Sequence, residues 1–154
     1  MRLETAQDKQ KENFVVRRLA TDTPEVSWMP FAEFSAVDYV GIRDGAVLCV
    51  IEIKTRKESQ AKVRSYPGGL LLKRRKYDEL IQIEKLLSVP AFAVFAFSNG
   101  TGHVMAARPS EIGPKEDVLT GRRDRDLACD LEPVVLLDWS KDLVHWLPPL
   151  AEDL

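Results

Sequence analysis

Three residues of this chain, Asp38, Glu52 and Lys54, have the types and spacing to carry out a reaction together. Glu52 and Lys54 interrupt the apolar run Ala46-Val47-Leu48-Cys49-Val50-Ile51, with Ile53 between them. Two residues apart on a strand, they point to one face. Asp38 precedes Glu52 with thirteen residues between them and also has apolar neighbours, Val37 and Tyr39. Two carboxylates brought together on a sheet repel unless a cation sits between them or one takes a proton. Oxygen ligands of this kind suit Mg²⁺ or Mn²⁺. A lysine beside them can hold a water or a phosphate oxygen. Such a set supplies ligands, ion, nucleophile position and charge stabiliser for metal-assisted hydrolysis of a phosphodiester. A Glu-x-Lys pair by itself is equally what a salt-bridged, exposed strand face looks like.

The chemistry requires Asp38 and Glu52 to share a face, and that depends on the turn around Arg43-Asp44-Gly45. A two-residue turn at Asp44-Gly45 pairs Arg43 with Ala46, which sets Asp38 opposite Ile51 and puts the acids on opposite faces. A three-residue turn with Gly45 in a G1 bulge pairs Ile42 with Ala46 and makes the acids same-face diagonal neighbours. A shared site therefore needs the longer turn or an equivalent bulge.

The elements that must position these residues follow from periodicity and breakers. Residues 5–20 read as a helix with Phe14, Val15 and Leu19 along one stripe and Val16 at its edge. A short strand is expected around Val26–Trp28. Residues 33–42 and 46–56 then form an antiparallel hairpin. Residues 57–70, with Ser65-Tyr66-Pro67-Gly68-Gly69, read as a long irregular stretch. Residues 71–88 read as a helix stopped by Pro90. Residues 91–97 are an apolar strand, Asn99-Gly100 begins a turn, and residues 102–108 are the hairpin partner. Residues 113–130 are charged and expected to be mostly loop, followed by a strand over 133–139. Ser140 is expected to cap a short last helix over 141–147. The fold class is α/β: a mixed β-sheet with an antiparallel meander, flanked by helices.

The chain of 154 residues is expected to be one domain, with 45% hydrophobic residues, enough for a globular core. No apolar run is long enough for a bilayer, so no membrane association is expected. Cys49 lies in an apolar run and reads as a small core residue; with Cys129 it makes no disulfide framework or zinc spacing. A reducing, cytoplasmic setting fits. The net charge is −2, yet Lys54 to Lys76 contains nine Lys and Arg residues against one acid, Glu58. That segment is +8, which leaves −10 on the remainder. A basic face on an acidic chain suits a polyanion, although surface lysines also cluster by chance.

Asp38, the interval, Glu52-Ile53-Lys54 and the helix–meander–helix–strand order together resemble the PD-(D/E)XK nuclease superfamily. The resemblance covers about residues 8–100. Residues 77–97 also look like the small phage-type members, where a Lys-aromatic pair, here Lys76-Tyr77, opens the second helix. Val37 stands where the family pattern has proline, a change that removes no ligand. The resemblance implies a restriction-endonuclease-like αβββαβ core, and an Mg²⁺- or Mn²⁺-dependent nuclease that is phage-encoded or bacterial. In it Asp38 and Glu52, with the Ile53 carbonyl, would bind metal. Lys54 would orient or deprotonate the attacking water and stabilise the pentacovalent phosphate. DNA, duplex or branched, is the implied substrate, and a resolvase-like action would need a homodimer. A catalytically silent nuclease-fold module that only binds nucleic acid is the alternative; an intact acid–acid–lysine set argues against it.

Further site residues follow from the same resemblance. Many superfamily members add a carboxylate from the first helix, and Glu12 sits at the edge of that helix's apolar stripe; solvated surface glutamate is the other reading. Lys76 shares a stripe with Leu72, Leu80, Ile83 and Leu87, so it must snorkel out or reach a charge near the sheet. Lys73, Arg56 and Lys57 would contact DNA phosphates, although each on its own reads as an ordinary surface charge. Tyr77 reads as a core-edge aromatic.

Overall fold

A computed structural model of the chain describes residues 6–31, 37–59, 61–62, 70–98, 102–111, 114–121, 131–137 and 145–147. Helix α1 (Ala6–Asp22) buries Val15 and Leu19. It stops at Thr23, whose N–H and hydroxyl both donate to the Leu19 carbonyl, at 2.8 and 2.6 Å. Pro24, which cannot continue a helix, follows. Three antiparallel strands come next: β1 (Ser27–Pro30), β2 (Tyr39–Arg43) and β3 (Ala46–Thr55).

The β2–β3 turn decides the site. Asp44 and Gly45 both have positive φ, 53° and 76°, as a two-residue type I′ hairpin turn requires. Arg43 pairs with Ala46 and Ile42 with Val47. Gly41 then pairs with Cys49, so Leu48 is an extra residue bulged out of β3. The turn is the shorter one, and the bulge reverses its consequence. Beyond Leu48, Val40 pairs with Val50 and Tyr39 with Ile51. Asp38, just before β2, donates its N–H to the Ile51 carbonyl and comes beside Glu52. Packing favours the shift at this place. A Cβ on Gly41 would lie 2.9 Å from the Trp28 ring and 3.1 Å from the Cys49 sulfur. The bare glycine lets Trp28 of β1 and Cys49 of β3 close over it.

After β4 (Leu70–Lys73) and helix α2 (Arg74–Leu87), the chain returns to this sheet as β5 (Ala91–Ala96). β3 is central, antiparallel to β2 and parallel to β5. Both its faces are covered, which is why its sequence reads as a nearly unbroken apolar run. Ile51 and Ile53 face the cluster containing Val15 and Leu19 of α1. Val50 faces the other cluster, with Tyr77 and Leu80 of α2, Phe95 and Phe97. By alternation Glu52 and Lys54 look towards α2. Beyond β5, β6 (Val104–Ala107) pairs antiparallel with β5. The sheet is completed in the described residues by His145–Leu147, antiparallel to β6. No helix among the described residues is long and apolar enough to cross a membrane.

Elsewhere the chain departs from expectation. β4 is a strand, so α2 begins at Arg74 and not at Leu71. A second, three-stranded sheet contains β4, β7 (Pro114–Gly121) and β8 (Leu131–Leu137), in the order β4-β8-β7, and α2 packs against it. The expected loop over 113–130 thus holds a strand, because a partner ladder outweighs its charged composition. The last element, β9 (His145–Leu147), is strand and not helix: its backbone pairs with the otherwise open edge of β6. Leu87 ends α2 at 47% exposure and leaves its apolar stripe. Asn99-Gly100, Arg64, Cys129 and Ser140 lie outside the described residues.

Candidate active site

Asp38 is held at the mouth of the β1–β2–β3 meander. Its N–H donates to the Ile51 carbonyl (2.8 Å), and its carbonyl accepts from Phe31 N–H (2.9 Å). Its carboxylate Oδ2 accepts from the Ile53 N–H at 2.7 Å. That side-chain bond takes the place of the next rung of the ladder and aims the carboxylate across β3 at Glu52.

Glu52 is 4% exposed, in a strand flanked by Ala93 of β5. Two ammonium groups converge on its Oε1: Lys54 Nζ at 3.0 Å from the same strand, and Lys76 Nζ at 3.4 Å from α2. Its Oε2 is buried, and no hydrogen-bond donor among the described residues reaches it. Asp38 lies close enough to share a hydrogen bond with Glu52 only if one of the two carries a proton. Burial, foremost, and then the Glu52 charge push the Asp38 carboxyl up to about 6, against the opposing pull of the Ile53 N–H and Lys54. The orphaned oxygen and the reluctant neighbouring carboxylate together form an acceptor-rich notch. Their chemistry fits a hard divalent cation, which would satisfy both groups without a proton.

The other expected residues divide clearly. Lys76 reaches the site, shared between Glu52 and Glu79 Oε2 at 3.6 Å. Arg56 follows β3; its N–H donates to Ala96, and its guanidinium lies over the Phe95 ring, 5.5 Å from the centroid. Phe95 pairs with Lys54 in register, so Arg56 flanks the lysine. Lys57 is exposed just beyond, and Lys73 is the exposed last residue of β4, where α2 begins. Tyr77 is buried, with its hydroxyl donating to the Pro109 carbonyl at 3.2 Å. Glu12 lies on α1 and is largely shielded from solvent. It pairs with Lys9 at 3.6 Å on α1, which packs against the opposite face of the sheet. Among the described residues no three His, Cys, Asp or Glu side chains gather as a metal cluster.

Two contributors escape a reading of residue types. Arg18 is 3% exposed, with Nη1 donating to the Gly102 carbonyl at 2.9 Å and Nε 3.6 Å from Asp22. It ties α1 to the segment joining β5 and β6. Its only sequence signal is its place three residues after Val15 on the buried stripe. Glu79, the second acceptor for Lys76, was detectable only from its i,i+3 spacing.

Residues 1–142 match the protein family described as "Phage putative PDDEXK endonuclease". No curated protein matches the chain. Among solved structures, Hjc, a Holliday junction resolvase from the archaeal hyperthermophile Archaeoglobus fulgidus, aligns with a TM-score of 0.53. The alignment covers 92% of this chain and 93% of Hjc at 14% identity, a likeness of fold.

Proposed function

The chain belongs to the phage PD-(D/E)XK endonuclease family, and from that premise we propose that it cuts DNA by divalent-metal-dependent hydrolysis at Asp38, Glu52 and Lys54. The observation that carries this is the buried Glu52 Oε2, which no donor among the described residues reaches, beside a carboxyl that resists ionisation. A protein that only gripped DNA would gain nothing from two acids at its basic face.

Asp38 and Glu52 would hold Mg²⁺ or Mn²⁺, with the Ile53 carbonyl as the backbone ligand that the family pattern supplies. The bound ion would contribute Lewis acidity and make a water nucleophilic at neutral pH. The remaining work falls to side chains. Lys54 orients the attacking water and neutralises charge on the phosphate as it becomes pentacovalent. Arg56, steadied on Phe95, holds a phosphate next to the scissile one, with Lys57, Lys73 and Lys76 extending the basic track. Burial around Glu52 excludes bulk water and strengthens each of these interactions.

Hjc is a Holliday junction resolvase, and branched DNA is included in the proposal for this chain. Cutting a four-way junction symmetrically calls for two sites related by a two-fold axis, hence a homodimer.

The test is cleavage of linear duplex, single-stranded and four-way-junction DNA, with Mg²⁺, Mn²⁺ or EDTA, beside Lys54→Ala. Cleavage in the metals that is lost in EDTA and in the variant is expected. Cleavage in EDTA, or full activity in Lys54→Ala, refutes the mechanism. Binding without cleavage in either metal would mark a silent nucleic-acid-binding module.

A further inference from the structure

Lys76 sits differently from Lys54, although both approach the same oxygen. Lys54 is fixed two residues along β3 from Glu52 and lies 3.0 Å from Oε1. Lys76 arrives from α2 and divides itself between Glu52 Oε1 at 3.4 Å and Glu79 Oε2 at 3.6 Å. Glu79 is one-third exposed and also lies 3.8 Å from Arg75 Nε. Lys76 therefore hangs between a buried acid and a solvent-facing one. Both lysines use Oε1, which leaves Oε2 turned to the notch it shares with Asp38.

Two ammonium groups on one carboxylate oxygen lower the negative charge that the other oxygen offers to a cation. In a site this buried they also repel a divalent ion directly. A phosphate at the basic face competes with Glu52 for the looser lysine. Resting on the reading of this site as a metal-dependent nuclease, we infer that Lys76 couples DNA binding to metal binding. While DNA is absent it neutralises Glu52 and keeps the metal site weak. When a DNA phosphate draws it towards α2's outer side, Glu52 recovers its charge and the ion binds tightly. Linkage makes the effect mutual: metal tightens DNA binding by the same factor. The enzyme would thus be loaded chiefly on its substrate. Glu79 is a positioning residue in this scheme, holding Lys76 partly off Glu52.

The test reads free Mn²⁺ by electron paramagnetic resonance while the ion is titrated into wild type, Lys76→Met, Lys76→Arg, Glu79→Gln and Asp38→Asn. Each is measured with and without a short duplex oligonucleotide, whose integrity is checked on a gel afterwards and whose own Mn²⁺ uptake is subtracted. DNA should tighten Mn²⁺ binding to wild type about tenfold, equivalent to about 1.4 kcal/mol. Lys76→Met should bind Mn²⁺ about tenfold more tightly without DNA, and DNA should then add nothing. Lys76→Arg should keep the coupling. Glu79→Gln, a surface change, should weaken DNA-free binding by about threefold as Lys76 settles on Glu52. Equal DNA-free affinities of wild type and Lys76→Met, or coupling that survives in Lys76→Met, overturn the inference and leave the metal site standing. If Mn²⁺ fails to bind wild type, or binds Asp38→Asn equally well, the metal-site reading itself is wrong, and the coupling falls with it.

Discussion

Replacing Asp38 by asparagine should stabilise the metal-free protein while abolishing its metal-dependent activity. In the wild type the Asp38 carboxyl is pushed from 3.8 to about 6, by burial first and by Glu52 second. A carboxyl whose folded pKa exceeds its unfolded value favours the fold when protonated. Its contribution is full below about pH 4 and is lost as pH rises through about 6. The shift corresponds to a ceiling of about 3 kcal/mol, at 1.36 kcal/mol per unit. Asp38 is half-buried, and solvent screening reduces this to roughly 1–3 kcal/mol. The introduced amide keeps the acceptor for the Ile53 N–H, now bonded to Asp38 at 2.7 Å, and brings an N–H₂ for the orphaned Glu52 Oε2.

Urea unfolding in EDTA at pH 8 and at pH 5 measures the difference. Asp38→Asn should be more stable by roughly 1–3 kcal/mol at pH 8 and by about half of that at pH 5, where the wild-type carboxyl is still largely protonated. At pH 8 this is roughly 2–10 °C in Tm. Adding Mn²⁺ should reverse the order, since only wild type gains binding energy. A variant less stable than wild type at pH 8 in EDTA, or a gap that does not shrink at pH 5, refutes the account of the Asp38–Glu52 pair.

Lys54→Ala should lower the cleavage rate at least about a hundredfold and change duplex affinity by less than about threefold, because its charge acts on the transition state; single-turnover rates and filter binding separate the two. Gly41→Ala should destabilise by about 1–3 kcal/mol in urea, since its Cβ would sit 2.9 Å from the Trp28 ring. Binding to duplex should weaken with salt, and Arg56→Ala should make the log–log slope shallower by about 0.9, one phosphate contact.

Much of the site could be read from residue types because burial is what makes it unusual. An acid and a lysine inside an apolar run stand out, and period-two alternation puts them on one face without any tertiary information. The strands β2, β3 and β5 follow from their β-rich apolar runs, helices α1 and α2 from apolar stripes at helical spacing, and the breaks between them from Pro24, Pro90 and Asp44-Gly45. The meeting of Asp38 with Glu52 was not readable. It is set by a bulge at Leu48, and that bulge answers to the contact of Trp28 with Gly41 and Cys49 across three strands. Local sequence favours the two-residue turn, which by itself would have separated the acids. The C-terminal third shows the same limit. Residues 114–121 and 145–147 lack a strong period of their own and become strands through pairing with β8 and β6.

That dependence makes the register of β2 on β3 testable by single-residue deletions. Leu48 is the extra residue of β3, so removing it straightens the strand and leaves every other pair in place: Ile42 with Val47, Gly41 with Cys49, Tyr39 with Ile51. Asp38 would keep its place beside Glu52. Val40 has a partner, Val50, so removing it leaves the bulge and draws the rest of β2 one residue along. Tyr39 would then meet Val50, and Asp38 would meet Ile51 on the face that packs against α1. Glu52 Oε2 would lose its acidic neighbour, and the Ile53 N–H its acceptor. The Leu48 deletion should therefore bind Mn²⁺ within about threefold of wild type and cost about 1–3 kcal/mol in urea for repacking around Gly41. The Val40 deletion, provided it still unfolds cooperatively, should bind Mn²⁺ no better than Asp38→Asn. Loss of Mn²⁺ binding in a cooperatively folded Leu48 deletion, or wild-type affinity in the Val40 deletion, would mean that the two acids meet by some route other than this register.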